Sequence, residues 1–320
     1  MSRLGRAAPA PSAPAPARLQ ALAHHLEAVQ ALAATPANIA RDPIRFPRAY
    51  TELRDIEVAA VLSAQLAYGR VDLFGPVIAR LLAIADTHGG PAAYVLGFDE
   101  TRARALDGVV YRWNRAEDFV LLFRTLQVVY RRHESLGALF VPGPTAASLG
   151  GAVDTLRALL PDAPSRGFKT WLAHPEDGSA CKRWLMFLRW MVRRDGADLG
   201  VWTHLSPRDL VIPLDTHVMR LSGFLGLTTR RDASWRTAEE VTAALRLLDP
   251  DDPVRFDFAL AHLGISGACR GFRHVDVCPA CPLDPLCAAP AAAPVAAPAP
   301  PASPTGAALP TRAPAARPRR

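Results

Sequence analysis

Cys269-Arg270-Gly271-Phe272-Arg273-His274-Val275-Asp276-Val277-Cys278-Pro279-Ala280-Cys281-Pro282-Leu283-Asp284-Pro285-Leu286-Cys287 holds four of the chain's five cysteines within nineteen residues, in the spacing C-x8-C-x2-C-x5-C. Four thiolates this close can share one metal centre. The fifth, Cys181, lies far upstream. A disulfide framework fits poorly. The chain has no secretory apolar segment, is long enough to build a core without staples, and has an odd cysteine count. Two centres take four cysteine thiolates: tetrahedral Zn²⁺ and an iron–sulfur cluster. Structural zinc usually sits between two short C-x2–4-C knuckles. Here one such knuckle is flanked by gaps of eight and five, which favours a [4Fe–4S] cluster.

Outward from this loop the composition changes. Residues 288–320, and 1–17 at the other end, are rich in Ala and Pro and contain no acidic residue. Such segments bury too little apolar surface to offset chain entropy, and are expected to be disordered tails. Their arginines, Arg3, Arg6, Arg312, Arg317, Arg319 and Arg320, carry six of the seven net positive charges. The sequence pI of 9.6 therefore belongs to the tails, and residues 18–287 are near neutral. The tails offer loose attraction to a polyanion; solvated ends without a role are an equal reading. Between them, 18–287 is expected to form a helical domain closing on the cluster loop 269–287. Half of the 320 residues are hydrophobic, enough for a substantial core. The most apolar run, 184–192, is interrupted by Arg189 and is too short to span a bilayer. The expected location of such a cysteine-reduced chain is the cytoplasm.

Hydrophobic periodicity predicts helices over 19–34, 56–66, 71–85, 116–132, 146–160, 181–194, 216–224, 237–248 and 253–263, separated by Gly and Pro. In 181–194, the apolar face carries Cys181, Trp184, Leu185, Leu188, Met191 and Val192. Lys182, Arg189 and Arg193 lie opposite, which reads as a solvated basic face. For 253–263, Asp252 reads as the N-cap, Pro253 as the first helical residue and Gly264 as the stop. No alternating segment is bounded by hairpin turns. The expected fold class is all-α.

Two further stretches bear on function: Leu62-Ser63-Ala64-Gln65 and Leu214-Asp215-Thr216-His217-Val218-Met219-Arg220-Leu221. With the cysteine spacing, they resemble the helix-hairpin-helix DNA glycosylases of the endonuclease III type, whose cluster signature is C-x6-C-x2-C-x5-C. The last three cysteines are in register, and the first gap is two residues longer. The three motifs occur in the family's order and span residues 62 to 287. Within that superfamily the chain is most similar to a bacterial branch described as a domain of unknown function. The resemblance implies a two-lobed helical fold and a [4Fe–4S] cluster on Cys269, Cys278, Cys281 and Cys287. It also implies a monomer acting on double-stranded DNA without a membrane. The implied reaction is excision of a damaged base, with or without strand cleavage at the abasic site.

Breaking an N-glycosidic bond passes through an oxocarbenium-like state that a carboxylate stabilises. A bifunctional enzyme adds a lysine amine that forms a Schiff base. By the resemblance, Asp215 is the carboxylate and Lys182 the nucleophile; a plain helix cap is the alternative for Asp215. His217 reads as a core or hydrogen-bonding residue. The hairpin before the lysine matches at Gly178, whereas the second hairpin glycine is replaced by Ala180. The gap from Lys182 to Asp215 is longer than in endonuclease III and is similar to that of the archaeal 8-oxoguanine glycosylases. Gln65 stands where the family has a wedge glutamine, and the target base must be extruded past such a wedge. Tyr68 and Arg70 share the next turn and are candidate DNA contacts. Arg270, Arg273 and His274 are candidate phosphate contacts in the cysteine loop, although Arg273 can equally balance Asp276. The rival function is a non-catalytic iron–sulfur nucleic-acid-binding protein. A zinc-stabilised helical interaction module is the third reading.

Overall fold

The computed structural model describes residues 16–161 and 164–291. The expected disordered tails lie outside the described residues, except that Pro16 and Ala17 begin the first helix and 288–291 follow the cysteine loop. Thirteen α-helices are present among the described residues. They are α1 Pro16–Ala33, α2 Pro36–Ile39, α3 Leu53–Leu66, α4 Val71–Asp86, α5 Pro91–Leu96, α6 Glu100–Arg104 and α7 Ala116–Arg132, then α8 Thr145–Arg157, α9 Arg166–Lys169, α10 Lys182–Val192, α11 Thr216–Phe224, α12 Trp235–Arg246 and α13 Asp257–Ile265. Short 3-10 turns join them. The described residues contain three isolated β-bridges and no sheet, so the chain is all-α. No described helix is long and apolar enough to cross a membrane.

Helix α3 is the hub. Every residue from Ile56 to Leu66 is buried, Glu57 among them. A helix apolar on all sides belongs inside, but a carboxylate there needs donors. Glu57 accepts from Tyr130 Oη at 2.9 Å, Leu136 N at 2.9 Å, Trp202 Nε1 at 2.7 Å and the Ser135 hydroxyl. These bonds tie α3 to α7 and to two loops. Burial, and then Glu57, push the Tyr130 hydroxyl well up.

Helix α10 packs on α3, while α1 and α11 pack on α13. The N-terminal helix thus joins elements more than two hundred residues later, with Leu22, Leu26 and Val29 buried. The basic face expected on α10 is not solvated: Arg189 and Arg193 are each 3% exposed. Arg189 pairs with Asp257 and, at 3.2 Å, with Asp198. Arg193 pairs with Asp198, and with Asp195 and Asp252 at 2.8 Å each. Burial lifts the Asp198 carboxyl to about 6 despite both guanidinium groups.

This network also moves a helix start. Asp252 was expected to cap a helix at 253, yet α13 begins at Asp257. Both Asp252 carboxylate oxygens instead accept from Arg193 Nε, at 3.0 and 2.9 Å. The carboxylate is turned to the guanidinium, and among the described residues no first-turn amide donates to it.

Candidate functional site

Lys182 opens α10 at the edge of a cleft of about 240 Å³. Gln65 from the end of α3, Ser179 from the preceding turn, Arg183 and Leu214 also line it. The chain reaches Lys182 through Gly178-Ser179-Ala180-Cys181, a turn with two left-handed residues. Gly178 has φ 77° and Cys181 has φ 48°. The second left-handed position therefore falls on Cys181, and Ala180 needs no glycine. Cys181 is not on a helix face as expected. It is the buried residue just before α10, its thiol pushed up to about 12 by burial. Ser179 Oγ accepts from Cys181 N at 3.2 Å, and Gly178 O accepts from Trp235 N at 3.2 Å, strapping the turn to the start of α12.

Asp215 is the N-cap of α11. Its Oδ1 accepts from His217 N and Val218 N, both at 2.8 Å. Its Oδ2 receives no hydrogen bond from the described residues. Leu214 beside it lines the cleft that Lys182 lines. A third charged group joins the pair, one the sequence did not single out. Asp257 is buried under α10, one carboxylate oxygen bound by Arg189 and the other, Oδ1, without a partner among the described residues. Burial raises its carboxyl, the neighbouring Arg189 lowers it, Asp215 raises it and Lys182 lowers it. Asp257 therefore sits within the field of both sequence candidates.

Gln65 is 1% exposed, with neither amide atom partnered among the described residues. It lines the cleft rather than projecting from it as a wedge. Tyr68, in the turn after α3, donates to Asn114 Oδ1 at 2.6 Å. Arg183 and Arg112 lie over its ring at 5.3 and 5.7 Å. Burial pushes the Tyr68 hydroxyl up to about 12, opposed by Arg183. Burial also lowers the Arg183 guanidinium to about 10. Its donors go to the carbonyls of Gln65, at 2.8 Å, and Thr170. Arg70 is exposed and pairs with Asp72 at 2.6 Å.

In the cysteine loop, Arg270 is exposed and meets His274 Nε2 at 3.0 Å. Arg273 pairs with Asp284 at 2.8 Å and donates to Cys287 O at 3.1 Å. Its acidic partner is thus Asp284, while His274 lies 3.9 Å from Asp276. Arg220 reaches from α11 to the loop. Its guanidinium stands 3.3 Å from His217 Nδ1 and 3.5 Å from Cys269 O. A Cβ on Gly271 would come within 2.8 Å of it.

Cys269 and Cys281 pack against the core. Burial raises the Cys281 thiol, and negative charge on Cys287, Cys269 and Cys278 would raise it further. Cys287 is raised by burial, then by Cys269 and Cys278. The four sulfurs thus share one electrostatic neighbourhood, in which several thiolates coexist only with a cation among them. That donor set fits a thiolate-ligated cluster. As the side chains stand, no three His, Cys, Asp or Glu residues among those described are gathered closely enough to hold a metal ion.

Comparison with known proteins gives no match among curated proteins and none among solved structures. One family matches over residues 42–266, described as Protein of unknown function (DUF2400). The matched stretch contains α3, the Gly178–Cys181 turn, Lys182, Asp215 and Asp257, and stops three residues short of Cys269. Because the match spans well over half of the chain, the protein belongs to the DUF2400 family.

Proposed function

We propose that the protein is a DNA base-excision glycosylase. The observation that carries this reading is the placing of Lys182 on a cleft that Leu214, the neighbour of Asp215, also lines. Lys182 and Asp215 lie 33 residues apart in sequence, yet the charges of both act on Asp257. In this reading double-stranded DNA lies across the mouth between two lobes and a flipped nucleotide enters the cleft. The glycosidic bond breaks with its electron pair leaving on the base. Asp215 stabilises the cation left on the sugar through Oδ2, since Oδ1 already holds the first turn of α11. The Lys182 amine, once neutral, adds to the sugar C1′ and loses a proton; the C1′–O4′ bond then breaks with its electron pair going to O4′, which takes up a proton, and the opened sugar is left as a Schiff base on Lys182. The unpartnered amide of Gln65 is available to the base or sugar.

Cys269, Cys278, Cys281 and Cys287 would hold a [4Fe–4S] cluster. It would supply a rigid clamp for the loop that presents Arg270, Arg273 and His274 to phosphates. A non-catalytic DNA-binding protein is the second reading. It is favoured by the Lys182 amine resting 3.6 Å from Met186 Sδ. Borohydride trapping on duplexes carrying a panel of lesions separates the two. Covalent adducts on at least one lesion support the glycosylase. DNA affinity with neither adduct nor excised base supports the binding protein.

A further inference from the structure

The chain has six tryptophans. Trp171, Trp184, Trp190, Trp202 and Trp235 are buried, whereas Trp113 is 58% exposed. It stands with Arg112 at the tip of a two-residue turn, where Tyr111 and Asn114 exchange backbone hydrogen bonds of 2.9 Å each. Arg112 has φ 53°, a left-handed conformation that a Cβ disfavours. Strain of this kind persists only when the surroundings impose it, and here they do. Tyr68 Oη donates to Asn114 Oδ1, the Tyr111 hydroxyl donates to the Tyr68 carbonyl, and a Cβ on Gly167 would come within 2.6 Å of the Trp113 carbonyl. The indole lies parallel to the Tyr68 ring, 9° off and 6.2 Å away. The same ring carries Arg183, whose guanidinium binds the Gln65 carbonyl at the cleft.

We propose that Trp113 is a stacking residue for a nucleobase left without its partner, fixed beside the cleft by the Tyr68 turn. The proposal rests on the DNA reading above. It gives the space-filling role to Trp113, because Gln65 is enclosed. A rigid, exposed aromatic suits a base because every base presents a π-face, and stacking tolerates any sequence. Arg115, an exposed residue two positions on, suits a flanking phosphate. A duplex opened at one nucleotide offers both features at once.

The test uses the full chain and its intrinsic emission. As the exposed indole, Trp113 should account for most of the acrylamide-accessible fluorescence, and Trp113→Phe should remove that component. A duplex with a stable abasic analogue should quench the accessible emission more than a fully matched duplex does. Trp113→Ala should weaken binding to the abasic duplex by about tenfold, and Trp113→Phe should restore part of that loss. Melting temperatures of both variants near that of the parent chain would show that the fold is intact. Abasic-duplex binding with unchanged indole emission and unchanged affinity in Trp113→Ala would overturn the stacking role and leave the DNA reading standing. No binding of any duplex by the parent chain would overturn both.

Discussion

In the proposed reaction Asp215 has two duties on one carboxylate, and its two oxygens separate them. Oδ1 holds the amides of His217 and Val218, so Asp215→Asn keeps the cap through its amide oxygen. Lost with the charge is stabilisation of a sugar cation. Asp215→Asn should therefore abolish base excision while DNA affinity and melting temperature hold, as measured by product release and calorimetry. Lys182→Gln should remove the borohydride adduct, because only an amine forms a Schiff base. Trapping that survives it would move the nucleophile elsewhere. The cysteines divide the same way. Cys181 is enclosed and its thiol is pushed up to about 12, so Cys181→Ala should leave iron content unchanged. Cys281→Ser should lower iron content and loosen the last described residues, because ligation and local folding are coupled.

Among the elements, α7 and α11 match their expected limits because period and flanking residues agree locally. The start of α13 and the basic side of α10 were not legible, since each depends on a partner distant in sequence. Nothing near Asp252 announces that Arg193 claims it, and nothing in 181–194 announces that Asp257 waits for Arg189. The same limit governed the site. Lys182 and Asp215 stand out through motif spacing, whereas Asp257 and Trp113 belong to no periodic pattern. Removing one member of a buried pair leaves a bare charge. Arg189→Met should thus lower unfolding free energy by about 3–5 kcal/mol, and Arg189→Met with Asp257→Leu should recover much of it. A loss well under 1 kcal/mol in urea titrations would argue against the network as a structural tie. In the cysteine loop the two arginines should behave differently. Arg270→Ala should reduce the salt slope of DNA binding by about one unit and leave iron in place. Arg273→Ala should also release iron, because Arg273 holds Asp284 and the Cys287 carbonyl.

At the scale of the whole molecule, the all-α class follows from helical periodicity, but the closing of the chain on itself does not. Helix α1 lies outside the matched family stretch and still packs on α13. Arg18 donates to the Leu225 carbonyl at 3.0 Å, and Glu27 pairs with Arg255 at 2.6 Å. Deleting residues 1–33 would strip Leu22, Leu26 and Val29 from the core. At about 1.5–3 kcal/mol per buried side chain, the loss should be roughly 5–9 kcal/mol, read as a fall in melting temperature. An unchanged melting temperature would mean that α1 is only laid over α13.

That docking also sets a timetable. Helix α1 leaves the ribosome well before its partner α13, which ends at Ile265. At about 5–20 residues per second, the nascent chain spends roughly ten to fifty seconds with Leu22, Leu26 and Val29 uncovered. During that interval these three side chains are open to a chaperone, and docking cannot precede the emergence of α13.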